Sequence, residues 1–114
     1  MTEVVLNGVQ AGSVNEVYLY QALTQLKIPF DYQVPIMGGR WSPFGQVVDF
    51  VCYMPYSQPV QVFGPHWHTG HLGALDGLKL ALLEQYYRRP VLVAWSYEID
   101  TAEMAVAWAR AKLR

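Results

Sequence analysis

The stretch Gln46-Val47-Val48-Asp49-Phe50-Val51-Cys52 decides the fold of this chain. Its apolar, mostly β-branched residues read as a buried β-strand, and Asp49 interrupts it. An unpaired carboxylate in such a strand is costly to desolvate, so it needs a cation, a hydrogen-bond network or a raised pKa. A second strand reads at Pro59-Val60-Gln61-Val62-Phe63, after a turn through Met54-Pro55-Tyr56-Ser57-Gln58, and the two strands are expected to pair as a hairpin. Directly after it comes Gly64-Pro65-His66-Trp67-His68-Thr69-Gly70-His71, which holds every histidine of the chain. An acid on one strand beside imidazoles at the end of the next points to a metal-assisted hydrolytic site.

Working outward, Ser13-Val14-Asn15-Glu16 has the form of a capping box and opens a helix running to about Leu26. Leu19, Ala22, Leu23 and Leu26 form its apolar stripe, and Ile28-Pro29 ends it. Phe30, Tyr32, Val34 and Ile36 then alternate with polar or turn residues at the two-residue period of a strand. Met37 to Gly45 is a loop by its glycines and proline. Beyond the histidines, a helical pattern runs from Gly70 or His71 to about Tyr87, with Leu72, Leu75, Leu82 and Tyr86 on one side. Val91-Leu92-Val93-Ala94-Trp95 is wholly apolar, as expected of a central strand covered on both faces. Asp100-Thr101-Ala102-Glu103 caps a last helix, whose buried side is expected to carry Met104, Ala107, Trp108 and Ala111. Residues 1–114 read as a single domain without repeat or linker.

Composition sets the frame. Of 114 residues, 53% are hydrophobic and 14% aromatic, enough for a packed core and too apolar for disorder. Asp76 and Lys79 break the Leu-rich segment, so no run is long enough to span a membrane. The start, Met1-Thr2-Glu3-Val4, lacks the pattern of a signal peptide, and the single cysteine, Cys52, excludes an internal disulfide; a cytoplasmic protein is expected. Net charge is −1, but the basic residues gather late: Lys79, Arg88, Arg89, Arg110, Lys112 and Arg114 all follow Asp76. A divalent cation among the acids would reverse the sign, so charge permits a phosphate-bearing partner without demanding one.

The order helix, three strands, helix, strand, helix, with an acid on the second strand, resembles the PD-(D/E)XK restriction-endonuclease-like superfamily. Val62-Phe63-Gly64-Pro65-His66-Trp67-His68, Asp76 and Val91-Leu92-Val93-Ala94-Trp95 narrow the resemblance to the Vsr-like (very-short-patch repair) branch. Within it, the chain looks like the EDxHD nucleases, which include homing endonucleases. The resemblance covers roughly Gly12 to Thr101. It implies an α/β fold with an αβββαβα core, a central mixed four-stranded sheet flanked by helices. It also implies a Mg²⁺-dependent endodeoxyribonuclease (another divalent cation such as Mn²⁺ would serve) from a bacterial, phage or mobile-element setting. The EDxHD pattern falls on Glu16, Asp49, His68 and Asp76, with Asp49 and Glu16 as metal ligands. The D/E-x-K segment of the wider superfamily falls near Gln61-Val62-Phe63, which has neither the acid nor the lysine. The second histidine of the Vsr enzymes is replaced by Phe63, and their zinc cysteines have no counterpart, Pro65 occupying the spot beside Trp67.

Several residues carry two readings. Glu16 fits both the capping box and the site. Asp76 either orients His68 or binds metal, or else simply favours the first half of its helix. His68 suits proton transfer near neutrality; a hydrogen-bonded loop histidine is the plainer alternative. Gln61 next to Asp49 can bind weakly or orient a water but cannot act as a base. Arg40, Lys79, Arg88 and Arg89 are candidate DNA contacts, against solvated loop and helix-end cations. Two classes of function follow: a DNA endonuclease, expected as a homodimer or beside a separate DNA-recognition chain, and a catalytically inactive nuclease-fold module for DNA binding or assembly.

Overall fold

The computed structural model describes residues 5–6, 9–10, 12–43, 45–54, 56–64 and 74–113, with the backbone alone at 5, 6, 9, 10 and 74–76. A short hairpin, β1 (Val5–Leu6) and β2 (Val9–Gln10), precedes the expected elements and is not foreshadowed by any sequence pattern. Then come α1 (Val14–Gln25), β3 (Phe30–Ile36), β4 (Gln46–Tyr53), β5 (Ser57–Phe63), α2 (Ala74–Tyr87), β6 (Leu92–Trp95) and α3 (Ala102–Leu113). The protein is thus a mixed α/β structure with a four-stranded sheet in the order β3-β4-β5-β6. β4 lies antiparallel to both β3 and β5, and β6 runs parallel to β5, which requires the long crossover that α2 supplies.

Local signals explain the helix limits. The Ser13 hydroxyl oxygen accepts the Glu16 N–H at 3.2 Å, capping α1, and the Thr101 hydroxyl oxygen accepts the Met104 N–H at 3.1 Å, capping α3. α1 and α2 stop where Lys27 (φ 58°) and Arg88 (φ 57°) turn left-handed, a job usually given to Gly. Arg88 therefore terminates a helix, which is reason enough for its position. Asn15 donates its amide to the Ser96 and Ile99 carbonyls, both at 3.1 Å, tying the start of α1 to the segment between β6 and α3.

Apolar packing lies on both faces of the sheet. Leu19, Ala22 and Leu23 of α1 and Ala105, Trp108, Ala109 and Leu113 of α3 pack on Phe50, Cys52, Val60 and Ala94. On the other face Leu83 of α2 packs on Ile36, Val48 and Val51. Cys52 is wholly buried, and its burial pushes the thiol pKa up to about 12.

Three expectations are corrected. α3 buries Ala105, Trp108, Ala109 and Leu113 rather than the stripe through Met104, Ala107 and Ala111, because alanines satisfy either phase and Leu113 fixes the true one. α2 buries Leu83 and leaves Tyr86 exposed. Among the described strands β6 lies at the edge of the sheet rather than at its centre, with only Ala94 fully buried. A fourth difference bears on the site. Phe30 and Tyr32 pack on the α1/α3 side, whereas Val34 and Ile36 pack on the α2 side, so the alternating residues of β3 do not share one face. The change of face falls at Gln33, whose φ of 52° is unusual for a non-glycine strand residue. β4 changes face at the same level, between Val48 and Phe50, and the residue between them is Asp49.

Candidate functional site

Asp49 sits where regular pairing with β5 gives way to side chains. The β4–β5 ladder runs from Tyr53↔Ser57 to Phe50↔Val60 and, continued, would oppose Asp49 to Gln61. Instead the Gln61 amide oxygen accepts the Asp49 N–H at 2.9 Å, and the Asp49 Oδ2 accepts the Val62 N–H at 2.8 Å. Asp49 and Gln61 are therefore on adjacent strands and joined, as expected. Burial is the main reason the Asp49 carboxyl is pushed up to about 7, with the negative charge of Glu16 as the second; the Val62 N–H and the Arg40 guanidinium pull the other way. Asp49 Oδ1 makes no hydrogen bond to the described residues.

Glu16 is only 8% exposed, rare for a carboxylate at a helix start. Its backbone N–H completes the Ser13 cap, but its side chain turns away from the capping role: Oε1 accepts the Tyr32 hydroxyl at 2.5 Å, and Oε2 accepts the Ser13 hydroxyl at 3.4 Å. A Cβ on Gly12 would lie 2.6 Å from Glu16 Oε2, so a larger residue there would push that carboxylate aside. Tyr32 is the hub that the sequence did not reveal. Its oxygen accepts the Gly12 N–H and the Gln33 amide, each at 3.1 Å, while it donates to Glu16. Burial, then the hydrogen bond to Glu16, hold the phenol above its ordinary range. The one available signal was that a Tyr in an apolar strand needs a partner for its hydroxyl.

A cleft of about 470 Å³ opens on the α2 side of this pair. Arg40, Ser42, Asp49, Gln61, Phe63 and Lys79 are among its walls. Gln46 donates its amide to the Lys79 carbonyl at 3.0 Å, fixing α2 against β4 beside the cleft. Four residues singled out from the sequence (Arg40, Asp49, Gln61 and Lys79) thus meet in one place, and Glu16 acts on Asp49 through its charge. Arg88 and Arg89 do not join them. Arg89 lies over the Tyr56 ring, 3.6 Å from its centre, in a separate concavity with Tyr53, Tyr86 and Tyr87. His66, His68 and His71 lie outside the described residues; Asp76 falls in α2, but its side chain is likewise outside them.

The donor set suits a hard cation. Glu16 and Asp49 are both oxygen donors, and the Glu16 charge that adds to burial in raising the Asp49 pKa is what a divalent ion would offset. Among the described residues no group of three or more His, Cys, Asp or Glu side chains is placed to hold a metal.

Comparison with protein-family models, with curated proteins and with solved structures gives no match. Among the described residues no helix is long and apolar enough to cross a membrane.

Proposed function

We propose that this protein is a metal-dependent DNA endonuclease of the Vsr-like, EDxHD type, built on a restriction-endonuclease-like core. The observation that carries the proposal is the cleft uniting Asp49 and Gln61 with Arg40 and Lys79, with Glu16 close enough to raise the Asp49 pKa. Asp49, through Oδ1, and Glu16 would hold Mg²⁺ or Mn²⁺. Bound there, the cation supplies charge neutralisation at the scissile phosphoryl group. Arg40 and Lys79 receive non-bridging phosphate oxygens and fix the strand in the cleft. Gln61 holds the Asp49 backbone, keeping the carboxylate aimed. His68 takes the proton of the attacking water, or gives one to the leaving oxygen, and Asp76 orients it. One such site cuts one strand, so a two-fold homodimer serves double-strand cleavage and a separate DNA-recognition chain serves targeting.

The deciding experiment is incubation of purified protein with supercoiled, linear and branched DNA, with Mg²⁺, with Mn²⁺ and with chelator. Divalent-dependent cleavage that disappears in Asp49→Asn is expected. His68→Ala is expected to slow it by about 10²-fold or more. Cleavage by Asp49→Asn at the wild-type rate would refute the mechanism.

One observation favours a second reading, an inactive nuclease-fold module for DNA binding or assembly. Asp49 and Gln61 already satisfy two backbone N–H groups where the ladder breaks, so both could be retained for structure alone. That reading expects DNA binding without cleavage in every divalent metal.

A further inference from the structure

Trp41 is 95% exposed, more than any other large apolar side chain described as exposed. The loop that presents it is tightly built. Gly38 and Gly39 adopt φ values of 92° and 66°, open to glycine without strain. The Gly39 carbonyl accepts the Ser42 N–H at 3.4 Å, and the Ser42 carbonyl accepts the Gly45 N–H at 3.1 Å. A Cβ on Gly45 would stand 2.0 Å from the Gly39 carbonyl oxygen. Three glycines therefore shape a short 3₁₀ turn, Gly39–Trp41, that holds an indole in water.

The neighbouring residue of the same turn, Arg40, lines the cleft with Asp49 and Lys79. Ser42, on the other side of Trp41, lines the same cleft, so the indole stands outside its walls but next to its rim. Two cations and a flat aromatic ring at one rim match the two halves of a nucleotide: charge for the phosphodiester, ring face for the base. A base inside a continuous duplex is stacked on both faces and offers only its edges. Stacking on Trp41 therefore requires a base that is unpaired or at a strand end.

We infer that Trp41 is a stacking platform for an unpaired base next to the phosphodiester held by Arg40 and Lys79, so that the protein takes single-stranded or branched DNA in preference to continuous duplex. The inference rests on the phosphate-binding part of the function proposed above and narrows its substrate class.

Fluorescence anisotropy tests it, with fluorescein-labelled oligothymidylate and a long duplex, whose two ends are a small share of its sites, as probes, in chelator so that nothing is cut. Wild type is expected to bind the single strand more tightly than the duplex. Trp41→Ala should weaken single-strand binding about ten-fold or more. The same variant should leave duplex binding and the melting temperature nearly unchanged, and Trp41→Phe should retain most of the affinity. Wild-type affinity for oligothymidylate in Trp41→Ala overturns the inference, as does equal loss on both probes or no binding of the single strand by wild type. So does a Trp41→Ala protein that changes only its sedimentation, which would give the indole to a protein partner. Because binding is read without metal, the two ideas fail separately. A protein that never cuts yet loses single-strand binding in Trp41→Ala sinks the nuclease and keeps the platform; a cutting protein indifferent to Trp41→Ala does the reverse.

Discussion

Asp49 and Gln61 brace one another across the β4–β5 hairpin: the Gln61 amide oxygen accepts the Asp49 N–H, and the Asp49 carboxylate accepts the next N–H along β5, that of Val62. Gln61→Glu keeps an acceptor for the Asp49 N–H but sets another carboxylate beside Asp49 and Glu16. Its melting temperature should fall below wild type at pH 8, and the gap should narrow at pH 5 and on adding Mg²⁺. Equal melting temperatures at pH 8 would mean that the new charge is not felt by the pair.

The raised carboxyl makes stability depend on pH in a defined direction. Asp49 titrates at about 7 in the folded protein against an ordinary value of 3.8. Below about pH 4 both states are protonated and the residue costs nothing. Between there and neutrality the unfolded chain ionises and the folded one does not, so stability falls as pH rises and levels off above 7. The full span is on the order of 4 kcal/mol. Asp49→Asn should remove this slope, which denaturant titrations at pH 5 and pH 8 would measure; an undiminished slope in the variant contradicts the assignment.

A cation bound to Asp49 must displace that proton. Calorimetry of Mg²⁺ or Mn²⁺ binding in buffers of different ionisation enthalpy should register release of about one proton at pH 6 and close to none at pH 8.5. Asp49→Asn should bind weakly with no release. Tight binding without proton release at pH 6 would place the metal elsewhere.

Glu16→Gln and Tyr32→Phe separate charge from hydrogen bonding at the α1 end of the site. Glutamine still accepts the Tyr32 hydroxyl, so Glu16→Gln should melt near wild type while the Asp49 titration moves down toward the carboxylate range and cleavage is lost. Tyr32→Phe strips partners from Glu16, Gly12 and Gln33 together and should cost about 1–3 kcal/mol of stability. A Glu16→Gln protein that is unstable but still cuts would return that residue to a capping role.

Assembly has a simple readout. A homodimer was expected from a surplus of aromatic residues, and Tyr53, Tyr56, Tyr86 and Trp41 are indeed among the exposed large side chains. Sedimentation at micromolar concentration should show twice the chain mass. A strict monomer would leave a nicking enzyme or one that works beside a separate recognition chain.

The order of the main elements was legible because each carries its own local signal: Ser13 and Thr101 as caps, Pro29 and Pro90 as punctuation, and an apolar run at β4. The Asp49–Gln61 pairing was legible from strand adjacency alone. Tyr32 was not, because its hydroxyl is met by Gly12 and Glu16 from the start of α1, which only the folded chain brings beside β3. The change of face at Gln33 was hidden for a related reason: perfect two-residue alternation says nothing of a left-handed residue inserted between its apolar members. Leu83 rather than Leu82 or Tyr86 faces the sheet because the phase of a Leu-rich helix is set by what it meets.

Cys52 gives the molecule an internal clock. It is the chain's single thiol, it lies in the core beneath α1 and α3, and its pKa near 12 leaves almost no thiolate at neutral pH. An alkylating reagent can reach it only when the sheet opens, so modification counts openings rather than surface encounters. The rate at which this one sulfur reacts thus measures how often the floor of the Asp49 site comes apart, without any label being introduced.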